Sequence, residues 1–503
     1  MSQSFILPTD YFFLTKFSAL TELDALSTKV ENKLYPLFID TNKIMLTEFK
    51  MVSKKSRLLN CLFSTSLISV SKKDTSDGRV TDFSFAINPV LNVQAGLDLK
   101  DTSREKLYMN TRGFWLSGRI GTKVFFESSF FENQAVFPTY IDEQAKATGV
   151  IGGQGRWKKF KENGYDFAMS SGMLRIDIHK NFELKFGHGK QKIGTAYRSL
   201  LLSDNSFNYP QAQFVFKFWK NKLVYAQTYA MLMNLSDGGV TKPVGTERIF
   251  QKKPAAFQYL TFNPVRQITI GLFQSLVWAP ANIRNEIQVD LNYFNPFPFL
   301  NKAVLGQDKD KFIMNGILLD VNPLPFLHLI GQGVYSGKES VNQADKRDKY
   351  AYLVGFRYSP LFGKNKQHHL HLSAEYIKLN GNVFSGDGLL SQNYTHYAQG
   401  LSFPFSLNNC SELVACGRYA FKRFFIQGKI NLFEVNDNLN FYSRNMLEGT
   451  LGFLINPAYN LVVFASLQLR DEQDNIYFNS TQKGYQLVST GIRTALYNFY
   501  WDN

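Results

Sequence analysis

Three groups of residues in this chain are placed to do chemistry. His368, His369 and His371 sit together, and His369, His371 and Glu375 share one face of an alternating segment. Two imidazoles at i and i+2 beside a carboxylate are the start of a zinc site. No fourth ligand can be named, and a polar strand face yields the same letters, so no metal is expected there. In the second group Arg175, Asp177 and His179 alternate with Leu174, Ile176 and Ile178. After a turn, Glu183 and Lys185 alternate with Phe182, Leu184 and Phe186. This spacing stacks a charge ladder on neighbouring strands facing a polar interior, as a salt-bridge network or a ligand-contacting surface.

The third group is a set of polar and aromatic loops. Tyr140, Arg156, Trp157 and Tyr165 fall in one, and Lys190, Lys192, Tyr197, Arg198, Asp204 and Asn205 in the next. Tyr394, His396 and Tyr397 fall in another. Sugars need planar aromatic platforms and bidentate polar side chains, and these loops hold both. The alternative is that each loop packs on itself or plugs its scaffold. Nothing resembles a catalytic constellation. There is no G-x-S-x-G elbow, no H-E-x-x-H, no Walker loop and no paired C-x-x-C. Gly152 and Gly153 are followed by no phosphate-binding helix. Neither an enzyme nor a cofactor is expected.

Composition narrows the scaffold that must position these groups. The 503 residues include 46 Phe, 25 Tyr and 5 Trp, so the rings need large cores or a membrane to face. Disorder is excluded by the 44% hydrophobic content. Three cysteines, Cys61, Cys410 and Cys416, exclude a disulfide scaffold, although Cys410 and Cys416 could pair in an oxidising compartment. No window reaches ~18 consecutive apolar residues, so helical membrane spans are excluded. The net charge of +15 comes from scattered Lys and Arg with no nucleic-acid motif. It fits a solvated surface, or contact with anionic glycan or lipid headgroups.

The first eight residues have neither a basic n-region nor an apolar h-region, so no secretory signal is expected in this numbering. Lys54 to Arg57 followed by Leu58 to Val70 looks signal-like, but polar residues interrupt it and it reads as a buried segment. Phe17 to Val30 is the best helix candidate. From about residue 83 the period changes to two. Leu461, Val463, Ala465, Leu467 and Leu469 alternate with polar or mixed residues, as do Ile268, Ile270, Leu272 and Leu276. Leu370, Leu372, Ala374 and Tyr376 stand opposite His369, His371, Ser373 and Glu375.

Connections alternate too. Tight-turn residues occur near Gly121, Lys180, Asn221, Asn263, Asn322, Lys422 and Asn456. Between them lie long polar stretches, at about 133–170, 189–210, 235–255, 278–286, 337–348, 380–410, 435–447 and 471–484. Long loops all at one end are the mark of an outer-membrane barrel, with short periplasmic turns and long outward loops. The parity requires residues 287–304 to split into two strands at Asn295 and Pro296. The expectation is an all-β, transmembrane antiparallel barrel of about 18 (18–20) strands over residues 81–503. Residues 1–80 form a small, partly helical periplasmic or plug-like leader.

A specific block then stands out. Phe186 to Asn205 reads FGHGKQKIGTAYRSLLLSDN, which resembles a block of a Bacteroidetes family of outer-membrane barrels. That family includes gliding-motility proteins of the RemB type and is related to Wzi-type capsule-assembly proteins. Phe85 to Asn92, Asn110 to Gly113 and Phe131 to Gln134 resemble its first three strands. Tyr293 to Phe297 resembles its YlNP turn, and Gly491 to Asn498 its closing strand. The chain departs from the family at Ala196, at Phe297 to Asn301, and at Tyr500 to Asn503. The resemblance implies an outer-membrane barrel with a surface role.

The resulting expectation is a non-enzymatic bacterial outer-membrane barrel that works through its long loops. It would bind or assemble surface polysaccharide, the capsule, or serve as a subunit of a gliding-motality or type IX secretion assembly. Its partners would be outer-membrane lipid or lipopolysaccharide, surface polysaccharide and other outer-membrane proteins, with no nucleic acid. The alternative is a porin-like diffusion channel or solute transporter, in which Arg175, Lys185 and Lys429 set anion preference.

Overall fold

Side chains that alternate between two faces need two different environments, and a cylinder supplies them. In the computed structural model, eighteen antiparallel strands close into a barrel. The structure describes the chain apart from residues 1–3, 7–8, 24–32, 36–37, 41–58, 60–61, 75–80, 102–105, 236–249, 279–294, 296–310, 341–345, 387–391, 405–408, 438–439, 475–480 and 503. The wall strands are β1 (Thr81–Asp98), β2 (Leu107–Ile120), β3 (Val124–Val136), β4 (Gly164–His179), β5 (Phe182–Gly189) and β6 (Tyr209–Phe218). Next come β7 (Leu223–Met233), β8 (Lys252–Phe262), β9 (Ile268–Trp278), β10 (Lys311–Leu324), β11 (Leu327–Ser340) and β12 (Lys346–Tyr358). The last six are β13 (His368–Asn380), β14 (Cys410–Phe421), β15 (Phe424–Asp437), β16 (Asn440–Asn456), β17 (Leu461–Asp474) and β18 (Thr481–Thr494). Strand β18 returns to β1 from Leu487↔Asp98 to Arg493↔Asn92, which closes the ladder.

Connections follow the alternation read from the sequence. One end carries tight turns, such as Gly121 at φ +60°, a left-handed value that a glycine adopts without strain. The other end carries the long loops. The loop expected at 435–447 is short, because β15 and β16 pair as far as Asp437↔Asn440. Residues 287–304, where two strands are expected, lie outside the described residues except Asn295. Among the described residues β9 pairs with β10 from Ile268↔Val321 to Trp278↔Lys311, which keeps the parity of the wall.

The outward face exposes Val93, Phe114, Ile317, Val354, Ile426 and Leu451, the side chains that hydrocarbon accepts. It is not uniformly apolar. Gln227, Gln258, Gln274 and Asn315 are cross-strand neighbours on the outward face of β7–β10. Gln274 Nε2 donates to Asn315 Oδ1 at 2.7 Å, and Gln258 Nε2 to the Asn295 carbonyl at 2.7 Å. The segment expected to be buried, Leu58 to Val70, also differs. Leu62, Leu67, Ile68 and Val70 are exposed, and Ile68–Asp74 pairs as a short strand with the start of β1.

The interior has two halves. Leu232, Phe257, Phe273, Met314, Leu353 and Ile377 make the inner face of β7–β13 apolar, around Leu200, Leu201 and Leu202 of the loop after β5. The inner face of β15–β18 and β1–β3 is largely polar. Helix α1 (Tyr11–Leu23) lies inside the short-turn end. It starts before the expected Phe17 because Asp10 caps it, accepting the Phe13 N–H at 2.9 Å. Past β18 the chain turns inward, burying Tyr500 and Asp502. Cys410 and Cys416 are buried on β14 and form no disulfide with each other.

Leu451→Arg puts a charge on the outward face of β16. It is expected to lower unfolding stability in lipid vesicles by roughly 2–4 kcal/mol. Unchanged stability in a urea titration would mean that this face does not meet hydrocarbon.

Candidate functional site: the plugged lumen and its polar chamber

After Gly189 the chain leaves the wall and folds into the lumen. Gly194 allows this turn at φ +100°, where a Cβ would lie 2.5 Å from the Gln332 amide. Ile193 pairs through its strand with Leu34–Tyr35 of the leader, and Leu200 to Leu202 fill the apolar half. Arg198 crosses to the polar half. Its Nε donates to Glu412 Oε2 at 3.0 Å and its Nη2 to Oε1 at 2.7 Å, a bidentate pair. Asp502 lies 3.3 Å from Arg198 and 3.5 Å from Lys429. Tyr197 and Tyr500 flank the guanidinium, each with its ring centroid 5.2 Å away. Glu375 accepts the backbone N–H of both Tyr197 and Arg198. Around Glu412, Asn431 donates at 2.6 Å and is itself held by Arg444 at 2.6 Å.

A charge cluster removed from water persists only if each member finds partners. Burial opposes ionisation of Asp502, but Arg198 and Lys429 outweigh it and hold the carboxyl well below the usual range. Burial pushes the Lys190 ammonium down to about 8, partly offset by Asp204.

The candidate residues occupy distinct places. Lys190 donates to the carbonyls of Gly153 at 2.7 Å and Asp204 at 3.1 Å, and Lys192 to that of Tyr197 at 3.0 Å. The Asp204 carboxylate takes Tyr500 Oη at 2.6 Å and Asn498 Nδ2 at 2.9 Å, and Asn205 donates to the Gly400 carbonyl at 3.1 Å. Tyr394 is fully buried and donates to the Leu201 carbonyl at 2.8 Å. Tyr397 is half-buried, edge-on to Phe207 at 5.3 Å. Trp157 and Tyr165 hold helix α2 (Thr139–Thr148), through the Ala145 carbonyl at 2.9 Å and the Asp142 carboxylate. Arg156 alone of that loop set is exposed, with its guanidinium 4.9 Å from the Phe250 ring.

The ladder residues face inward. Arg175 pairs with Asp177 at 2.7 Å and with Glu183 at 3.1 Å, and Lys217 also reaches Glu183. Lys185 is buried beside them, its register partner Arg175. His369 meets Ser359 Oγ at 2.9 Å, and His371 packs edge-on against Tyr11 at 5.3 Å. Glu375 is committed to the plug. Among the described residues no group of three or more His, Cys, Asp or Glu is placed to hold a metal.

Between plug and wall lies a chamber of about 280 Å³. Gln94, Asn133, Gln427, Thr450, Ser466 and Gln468 line its wall. Tyr140 and Ile141 of α2 roof it, Asp10 and Phe12 of the leader floor it, and Tyr497, Phe499 and Trp501 back it. The Tyr140 ring lies 3.9 Å from the Arg470 guanidinium and its hydroxyl accepts Gln468 at 3.1 Å. Amides and hydroxyls beside aromatic rings can hydrogen-bond and stack on a neutral polyol. These amides escaped sequence reading. They sit one per strand, at inward positions that only closure brings together. Glu412 and Arg444 could have been flagged as inward charges in need of a partner.

No family model and no curated protein sequence matches the chain. Solved structures do resemble it. One is Wzi of Escherichia coli, an outer-membrane protein involved in group 1 capsule assembly and a carbohydrate-binding β-barrel. It has a TM-score of 0.55 and 11% identity, covering 98% of this chain and 100% of Wzi. OccK8 of Pseudomonas aeruginosa gives a TM-score of 0.44 at 9% identity, covering 81% of this chain and 98% of OccK8. A BenF-like porin of Pseudomonas fluorescens gives 0.42 at 11% identity, covering 81% and 98%. This chain is an outer-membrane β-barrel. The short-turn end is then periplasmic and the long-loop end extracellular.

Arg198→Gln leaves Glu412 and Asp502 without their buried counter-charge. It is expected to cost about 3–5 kcal/mol in a denaturant titration. Asp502, with its folded pKa depressed, contributes stability that is present above its unfolded pKa of about 3.9 and is lost as pH falls below it. An acid titration of Asp502→Asn should therefore differ from the parent near neutrality and converge with it at low pH.

Proposed function

We propose that this outer-membrane barrel is a non-enzymatic saccharide-binding protein of the cell surface, engaged in holding or assembling surface polysaccharide. The observation that carries the reading is the amide-lined, aromatic-backed chamber beneath α2. Its charged lining is mixed: Arg418, Lys429 and Arg493 stand with Asp10, Glu448 and Asp502, and Lys429 is paired with Glu448 at 3.1 Å. The Wzi likeness over nearly the whole of both chains supports the same reading, because Wzi is a carbohydrate-binding barrel. On this view Arg198, Asp204 and Asn205 act as structural ties rather than as sugar ligands, and Arg156 and Tyr397 are left as rim contacts.

The rival reading is a diffusion channel. Against it stands a lumen filled by the leader, the loop after β5 and the chain end, tied by buried ion pairs. Planar-bilayer recordings should show a closed barrel, and deleting residues 190–208 should raise the conductance. Large steady currents from the intact protein would favour the channel. A glycan array on detergent-extracted protein tests binding directly. Gln94→Ala with Gln427→Ala and Gln468→Ala should weaken any bound glycan about tenfold or more, given roughly 0.5–1.5 kcal/mol per hydrogen bond. A role as a subunit of a motility or secretion assembly is supported by the sequence resemblance alone. Mild extraction should then recover companion proteins with the barrel.

A further inference from the structure

A pocket of about 30 Å³ lies between strands β3 and β4, the loop after β5, the leader and the chain end. It shares Leu496 and Tyr497 with the saccharide chamber, and the rest of its lining is its own. Its one carboxylate is Glu127, more than nine-tenths buried on the inner face of β3. Strand alternation puts Ser129 on the same face, and the β3–β4 register sets Ser129 opposite Ser171. Glu127 Oε1 accepts the Ser171 hydroxyl at 3.1 Å and the Tyr497 hydroxyl at 3.3 Å. Ser129 Oγ completes the group, 2.7 Å from Ser171 Oγ and 2.8 Å from Tyr497 Oη. Glu127 Oε2 receives no hydrogen bond, and among the described residues no cation pairs with this carboxylate. Lys190 also lines the pocket, but its ammonium is held by the carbonyls of Gly153 and Asp204, and the carboxylate that acts on it is that of Asp204. Asn208 enters the lining from the loop side. Its Nδ2 donates to the Ser170 carbonyl at 2.6 Å, while its buried Oδ1 has no hydrogen-bond partner.

A carboxylate withdrawn from water is destabilised unless an opposite charge or enough donors replace that water. Here two hydroxyls serve one oxygen and nothing serves the other. The groups left without partners are oxygens, carboxylate Oε2 and amide Oδ1, and the hydroxyl oxygens beside them keep free lone pairs. A set of oxygen ligands without nitrogen or sulfur suits a hard cation. One carboxylate balances one positive charge, and no second carboxylate lines the pocket to neutralise a divalent ion. We infer that this pocket binds one small monovalent metal cation of the sodium type, with Glu127 as its charged ligand and Asn208 and the hydroxyls as neutral ones. The ion would tie together β3 and β4 of the wall, the loop after β5 through Asn208, and the chain end through Tyr497. The rival occupant is a proton on Glu127. The site does not rest on the saccharide reading.

Thermal unfolding of the full-length protein in a non-ionic detergent tests this, with choline chloride replaced stepwise by sodium chloride at constant total chloride and constant pH above neutrality. Choline is too large for the pocket and holds the ionic strength fixed. The midpoint is expected to rise with sodium and to saturate, as binding to the folded state alone requires. Glu127→Gln keeps the side-chain shape, removes the charge and should abolish the rise. Asn208→Ala should raise the sodium concentration at half-effect about tenfold, as loss of one ligand oxygen to a charged partner implies. Glu143→Gln, on the exposed face of α2, should respond to sodium as the parent does. Heat-modifiable gel mobility shows which variants fold. Should Glu127→Gln fail to fold, Asn208→Ala decides. A parent whose midpoint ignores sodium would overturn the site and leave the proton as occupant. So would an equal sodium response in parent, Glu127→Gln and Asn208→Ala.

Discussion

A polypeptide inside hydrocarbon must pair every backbone N–H and C=O within itself. An open sheet cannot do this, because its edge strands keep a row of unpaired groups. The pairing of β18 with β1 removes those edges, and the other features follow from it. Closure fixes which side chains meet lipid. Because the closing pair is antiparallel like the others, the strand number is even and both wall ends lie on one side of the membrane. Closure also creates an enclosed space whose contents must then be stabilised.

That space is where the chain departs from a simple greasy-outside, wet-inside cylinder. Half of the inner wall is apolar, because Leu200 to Leu202 and the residues facing them form an ordinary hydrophobic core. The other half keeps polar side chains around an open chamber. The boundary is drawn by Arg198, which reaches from the plug to Glu412 on the wall and to Asp502 in the chain end. Three segments distant in sequence therefore share one buried charge cluster. Loss of one partner strands the others in low dielectric, so the plug is held as a unit.

A second, smaller cavity shares Phe12, Arg418, Phe425 and Asn460 with the large chamber and differs from it in the rest of its lining. The large chamber collects amides and hydroxyls from seven strands and rings from the chain end. The small one collects cations from a helix, a strand and a turn. Neither pattern exists on a single element.

The period of two, the alternation of tight turns with long loops, and the aromatic surplus were legible in the chain and determined the barrel. They are local properties, set by how side chains point along a strand and by which residues tolerate tight turns. The inward ladder of Arg175, Asp177, Glu183 and Lys185 was legible for the same reason. The roles of Arg198, Asp204 and Asn205 were not. Their letters suit a ligand site and a plug equally, and only the tertiary structure placed Glu412, Tyr500 and Gly400 beside them. Local alternation dictates a wall. What fills the wall depends on contacts between residues hundreds of positions apart, which only closure brings within reach.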